Sequence, residues 1–222
     1  MWLAIKRRVD RYRLRDPAFR FLFEEPPPGE AVAIDCETTG LDPRRDDIVT
    51  VAAIPIRGSR ILASARFETM VRPDVRMKAE AIKVHRLREG DVAGGRPIEE
   101  ALPELLRFIG SRPLIGYYLE FDVAMINKHA RRMIGIELPN RRIEVSGLYY
   151  ERKYGDAPPG VQVDLSFAAI LTDLGLPVLD QHDAFSDALM TAMMYVALAD
   201  FKARNIRIPR QRAKPIAHFG GG

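Results

Sequence analysis

Two carboxylates one residue apart close an apolar run in Ala33-Ile34-Asp35-Cys36-Glu37-Thr38-Thr39-Gly40. In an extended strand, residues i and i+2 project from one face, so Asp35 and Glu37 point together while Cys36 turns away into the core as a small hydrophobe. Like charges a few ångströms apart repel unless one takes a proton or a cation lies between them. A divalent metal meets that need. Asp122 follows the apolar stretch Pro113-Leu114-Ile115-Gly116-Tyr117, and Asp187 lies five residues after His182. Each sits near the start of a helix, where acids also occur simply because the macrodipole favours them. Taken together, four carboxylates from three segments can meet where strands end and helices begin, the usual place for a site in an α/β sheet. Oxygen ligands of this kind select Mg²⁺ or Mn²⁺ over zinc.

The elements that must position these residues are legible from periodicity. Apolar runs predict strands over 31–36, 48–57 and 60–69, the last two joined as a hairpin around Arg57-Gly58-Ser59-Arg60. Helices are predicted over 97–110, 121–133, 166–174 and 184–203, with a short buried strand at 113–117 and Asp183 as the N-cap of the last helix. Strands followed by alternating helices and strands indicate an α/β domain with a mixed sheet. Ahead of it, Trp2, Ile5, Val9 and Tyr12 at helical spacing mark a basic amphipathic helix, packed on the domain or laid on a membrane surface. Glu24-Glu25-Pro26-Pro27-Pro28-Gly29 then breaks it. The expected organisation is a basic N-terminal helix and Pro-rich linker over 1–29, a catalytic-type domain over 30–203 and a basic tail over 204–222.

Composition is that of an ordinary soluble globular chain, with 47% hydrophobic and 29% charged residues in 222. No apolar stretch approaches the roughly 20 residues that span a bilayer, and the N-terminus lacks a signal-peptide core, so no membrane partner is expected. The single Cys36 excludes an intrachain disulfide and fits a cytoplasmic location. Net charge is +4, but residues 1–20 contribute +5 and residues 202–214 contribute +6, leaving the middle at −7. An acidic site thus lies between two basic ends that can attract a polyanion such as nucleic acid.

These motifs resemble the DnaQ-like 3′–5′ exonucleases of the DEDDh type. The first is Asp35-Cys36-Glu37-Thr38-Thr39-Gly40, the second centres on Phe121-Asp122 and the third is His182-Asp183-Ala184-Phe185-Ser186-Asp187. A tyrosine subtype places Tyr four residues before the last Asp, where this chain has Asp183, so the histidine subtype is favoured. The resemblance implies an RNase H-like fold, a mixed five-stranded sheet flanked by helices, and two Mg²⁺ or Mn²⁺ ions held by Asp35, Glu37, Asp122 and Asp187. It further implies His182 as the base that takes a proton from the attacking water. An imidazole, titrating near pH 6.5, can do so at neutral pH. The substrate is a nucleic acid with a free 3′ end, with single-stranded DNA expected, and a polymerase is a possible partner.

Thr38, Thr39, Gly40 and Leu41 correspond to the stretch that meets the terminal nucleotide. His85, in Ile82-Lys83-Val84-His85-Arg86-Leu87, resembles a secondary segment that usually continues His-Gly-Ile, with Arg86 in place of the glycine. Where the family has His-Asn before the second motif, this chain has Tyr117 and Tyr118. Tyr117 is expected to pack, while Tyr118 either packs or stacks on a base. The same carboxylates would serve an exoribonuclease. A non-catalytic polymerase-associated module is the reading from another class. No clamp-binding peptide is evident after the last helix, which favours a stand-alone or accessory enzyme.

Overall fold

The computed structural model describes residues 2–210, with side chains from Arg7 onward. Trp2, Ile5, Arg212 and His218 therefore lie outside the described side chains. Elements in chain order are α1 (Trp2–Arg13), a 3-10 turn (Pro17–Phe23), β1 (Glu30–Thr38), β2 (Ile48–Arg57), β3 (Arg60–Ile61) and β4 (Phe67–Met70). They continue with α2 (Ala79–His85), α3 (Glu89–Val92), α4 (Ile98–Ile109), β5 (Leu114–Gly116), α5 (Leu119–Ile134), β6 (Arg142–Glu144), α6 (Val145–Lys153), α7 (Phe167–Leu174) and α8 (Ala184–Ala203).

The sheet runs β3-β2-β1-β5-β6, with β4 sharing the β2 edge with β3. β1 and β2 pair antiparallel, whereas β1–β5 and β5–β6 are parallel. The hairpin turns at Gly58-Ser59, where Gly58 takes φ +58°, and Arg57 pairs with Arg60 across it. A short 3-10 turn at Ala63–Ala65 splits the predicted 60–69 strand into β3 and β4.

Alternation along β1 sorts the core into two layers. Val32, Ile34 and Cys36 join the cluster under α4 and α5, while Ala31 and Ala33 join the one under α6, α7 and α8. Asp35 and Glu37 continue the Ala31–Ala33 parity and so belong to the α8 face. Ala52, directly opposite Asp35, packs in one small cluster with Ile54, Ala184 and Ala188. These short side chains let the first turn of α8 come close to the strand that carries the acids.

α8 has the length and hydropathy of a membrane-spanning helix, with 20 residues at a mean hydropathy of 1.2. This corrects the expectation that no stretch approaches that size. Its Ala188, Met190, Ala192, Met194 and Leu198 are buried against the sheet and α6, so it is a core helix here. The N-terminal segment also enters the core: Phe19 and Leu22 from the 3-10 turn are fully enclosed beside α4 and α5.

α2 ends on Arg86 at φ +61° with its N–H bonded to the Ile82 carbonyl at 2.8 Å, a left-handed cap that glycine adopts at lower cost. Arg86→Gly is expected to stabilise the fold by about 0.5–1 kcal/mol. Urea unfolding of the two proteins checks this, and a lower midpoint for the glycine variant would refute it.

Candidate active site

Carboxylate oxygens of Asp35, Glu37 and Asp187 lie within 4.8 Å of one another. β1 supplies the first two at its C-terminal end, where a bulge between Glu37 and Thr38 breaks the register with β2. α8 supplies the third from its first turn, capped by Asp183, which accepts from the Ser186 N–H at 3.0 Å. Asp122 is buried in the first turn of α5, at the end of β5 beside β1, where the Cys36 backbone holds its pKa down against burial. The structure therefore brings together three of the four acids expected from the sequence, with Asp122 near enough to Asp35 for its charge to raise that residue's pKa.

Their electrostatics are those of charges in want of a counter-ion. Every principal influence on Asp35 raises its pKa: burial first, then Asp122, Glu37 and Asp187. Burial, with Asp187 and Asp183, pushes Glu37 up to about 7. Burial also raises Asp122 and Asp187, against hydrogen bonds from the Cys36 and His182 backbones respectively. Asp187 accepts from the His182 N–H through Oδ2 at 3.1 Å, yet its Oδ1 is buried with no hydrogen-bond partner. An unpartnered carboxylate oxygen facing two more carboxylates fits a divalent cation, and the all-oxygen donor set fits a hard one. Cys36 is buried in the α5-side core, away from this donor set.

His182 is exposed and held in the left-handed region at φ +66°, its backbone fixed to Asp187. Such strain gathers at functional sites. Tyr118, at φ +56°, is a second case: it precedes α5, carries no side-chain cap and exposes 71% of its surface. Its ring meets the edge of Tyr117, with centroids 4.6 Å apart. Tyr117 is half-buried, packs on Phe167 and donates to the Leu165 carbonyl at 3.1 Å, as expected of a packing residue.

The turn after β1 alters two expectations. Thr39 is fully buried, its N–H donates to the Asp47 carbonyl, its carbonyl accepts from the Lys78 N–H and its hydroxyl accepts from the Asp47 N–H, all at 2.9 Å. Nothing on Thr39 remains for a nucleotide, so it is corrected from a substrate contact to an anchor of the turn. Gly40 is required by a close approach of the protein itself, since a Cβ there would lie 2.6 Å from Asp46 Oδ2 and 2.7 Å from Lys78 Cδ. Those two groups form an ion pair at 2.7 Å, and Lys128 pairs with Asp47 beside them. Thr38 is buried with its hydroxyl donating to the Gly40 carbonyl, whereas Leu41 is 84% exposed.

His85 is buried, and burial lowers its pKa. Its Nδ1 accepts from the Leu87 N–H at 3.1 Å, which leaves Nε2 with the proton, and the nearby Thr38 backbone acts against burial to raise its pKa. Glu144 was not foreseen: it caps α6, accepts from the Leu119 N–H at 2.9 Å and raises Asp122 through its charge. Only the short β6 ahead of it could have signalled that role.

The sequence model of the exonuclease family RNase_T matches residues 32–195, the stretch that carries all of these groups. The chain belongs to that exonuclease family. The exonuclease is 28% identical over 172 residues to the DNA polymerase III subunit epsilon of Aquifex aeolicus, covering 78% of this chain and 81% of the relative. It spans 14% or less of the PolC-type DNA polymerases III that it also matches. Among solved structures, exonuclease I of E. coli with single-stranded DNA superimposes with a TM-score of 0.67 at 15% identity, over 79% of this chain and 41% of that one. Exonuclease X with 5′-overhanging duplex DNA gives 0.59 at 25% identity, over 78% and 93%. The expected DnaQ-like, RNase H-like fold is borne out.

Proposed function

We propose that this exonuclease removes nucleotides one at a time from the 3′ end of DNA, single strands first, and releases nucleoside 5′-monophosphates. The observation that carries this reading is the meeting of Asp35, Glu37 and Asp187, with Asp187 Oδ1 unpartnered and His182 fixed to the same side chain. In this reading Asp35, Glu37, Asp122 and Asp187 hold two Mg²⁺ or Mn²⁺ ions, which supply charge stabilisation for the attacking and leaving oxygens of the displacement. His182 accepts the proton of the attacking water, and its exposed position leaves room to pass that proton to solvent. Thr38, Gly40 and His85 border the terminal nucleotide, against which Leu41 supplies an apolar contact. The names of the relatives favour DNA and a DNA polymerase as partner.

The test is 5′-labelled single-stranded DNA and RNA with Mg²⁺, Mn²⁺ or EDTA. Stepwise shortening of DNA from the 3′ end, abolished by EDTA, is expected. Faster shortening of RNA would replace the substrate assignment, and no shortening of either would refute the reading.

Tyr118 makes a separate expectation. An exposed ring beside the second motif is a stacking surface for a base, and stacking contributes about 1–3 kcal/mol per base. Tyr118→Ala is expected to raise KM for a single strand about 5- to 100-fold with kcat nearly unchanged, while Tyr118→Phe keeps the wild-type KM. Equal KM values for all three proteins would exclude stacking.

A further inference from the structure

The two basic ends of the chain are used differently. At the C-terminal end, Arg207 donates to the Glu151 carbonyl, Arg210 pairs with Asp156 at 2.8 Å, and Ile208 is buried between them. Those arginines fasten the segment to α6. At the N-terminal end, Arg8 and Arg11 of α1 meet Arg20 of the 3-10 turn around a cleft of about 360 Å³, with Tyr12 as its other wall. Among the described residues, none of these three guanidinium groups is paired with a carboxylate. Arg57, Arg66, Arg96 and Arg112 each are. Arg7 is not part of the cleft: it bonds the Glu24 carbonyl at 3.1 Å and lies over Phe23, fixing α1 to the 3-10 turn that carries Arg20.

Three exposed guanidinium groups around one cleft concentrate positive charge where an anion can meet all of them. We propose that this cleft is a second nucleic-acid site, which grips the sugar-phosphate backbone of the strand whose 3′ end lies at the carboxylates. The proposal rests on the exonuclease reading. Guanidinium forks match phosphate oxygens, and Tyr12, 82% exposed, offers a ring for a base.

The cleft lies at the far end of α5 from the acids. The Arg15 N–H donates to the Ile134 carbonyl at 2.9 Å, whereas Asp122 is in the first turn of that helix. At 1.5 Å per residue the separation along α5 is about 18 Å, which a strand at the duplex spacing of about 3.4 Å per nucleotide covers in about six nucleotides and an extended single strand in fewer. Beside the C-terminal half of α5 lies a groove of about 510 Å³ that offers Arg107 and Arg132 but also Asp16 and Glu99.

The test is fluorescence anisotropy in EDTA with labelled oligothymidylates of about 4 and about 20 nucleotides. It compares wild type with a variant carrying Arg8→Gln, Arg11→Gln and Arg20→Gln, and with a charge-matched control carrying Arg60→Gln, Arg141→Gln and Arg204→Gln. The cleft variant is expected to bind both strands more weakly, the longer one at least about tenfold, with a salt slope lower by about 2. The control is expected to lose much less. Unchanged affinity and slope for the longer strand would overturn the proposal, as would an equal loss in the control. So would binding of the wild type, but not the cleft variant, to phosphatidylserine vesicles with no difference on DNA. If wild type shortens DNA while the cleft variant binds it normally, the cleft fails and the exonuclease reading stands. The expected binding result with no shortening of any strand supports the cleft and refutes that reading.

Discussion

Asp35→Asn is expected to lower exonuclease activity at least about a thousandfold, equivalent to about 4 kcal/mol of transition-state stabilisation, and to make the metal-free protein more stable. Both effects come from one arrangement. Asp35 lies among Asp122, Glu37 and Asp187, and every principal influence on it opposes its ionisation. The asparagine keeps the shape and hydrogen bonding but removes a charge needed only when cations are held there. Glu37 shows the scale: a carboxyl moved from 4.5 to about 7 by burial and like charge is disfavoured, when ionised in the fold, by on the order of 3 kcal/mol.

The sign follows from proton binding. A carboxyl with a raised folded pKa holds its proton more tightly folded than unfolded. The metal-free protein should therefore be unpenalised below the ordinary carboxylate range and lose stability as pH rises from about 4.5 through about 7, with the full loss above that. Thermal unfolding in EDTA between pH 5 and pH 8 is expected to show a falling midpoint for wild type and a shallower fall for Asp35→Asn. Mg²⁺ should restore the wild type at pH 8 and the variant much less. Equal pH slopes in the two proteins would refute the account.

The carboxylates were legible in the sequence because strand alternation is local: once Ala31–Thr38 is a strand, the common face of Asp35 and Glu37 follows. The same holds for α8, whose Asp183 cap fixes the turn that carries Asp187. Elements that owe their form to distant partners were not legible. α2, α3 and β6 have seven, four and three residues, too short for a helical or strand period to show. The 3-10 turn is stabilised by burying Phe19 and Leu22 against α4 and α5 from far along the chain. Thr39 reads as part of a ligand loop until Asp47, eight residues on, and Lys78, far along the chain, are seen to occupy its polar groups. Strain is equally hidden, since nothing in the residue types marks His182 or Tyr118 as left-handed.

That strain gives His182 a distinct signature. Its backbone is tied to Asp187, so the side chain is set by the same residue that the proposed mechanism uses as a ligand, while the ring itself is exposed. His182→Ala should leave the acids and their cation affinity intact and remove only the proton acceptor, a loss of about 10²- to 10⁴-fold in kcat. Because the ring's place is open to solvent, added imidazole should recover part of the lost rate. Raising the pH should recover some as well, as hydroxide replaces the missing base. A residue with a merely structural role would respond to neither. Unchanged kcat in His182→Ala, or a loss that imidazole and high pH leave untouched while Mg²⁺ affinity also falls, would remove His182 from proton transfer and make it a support for Asp187.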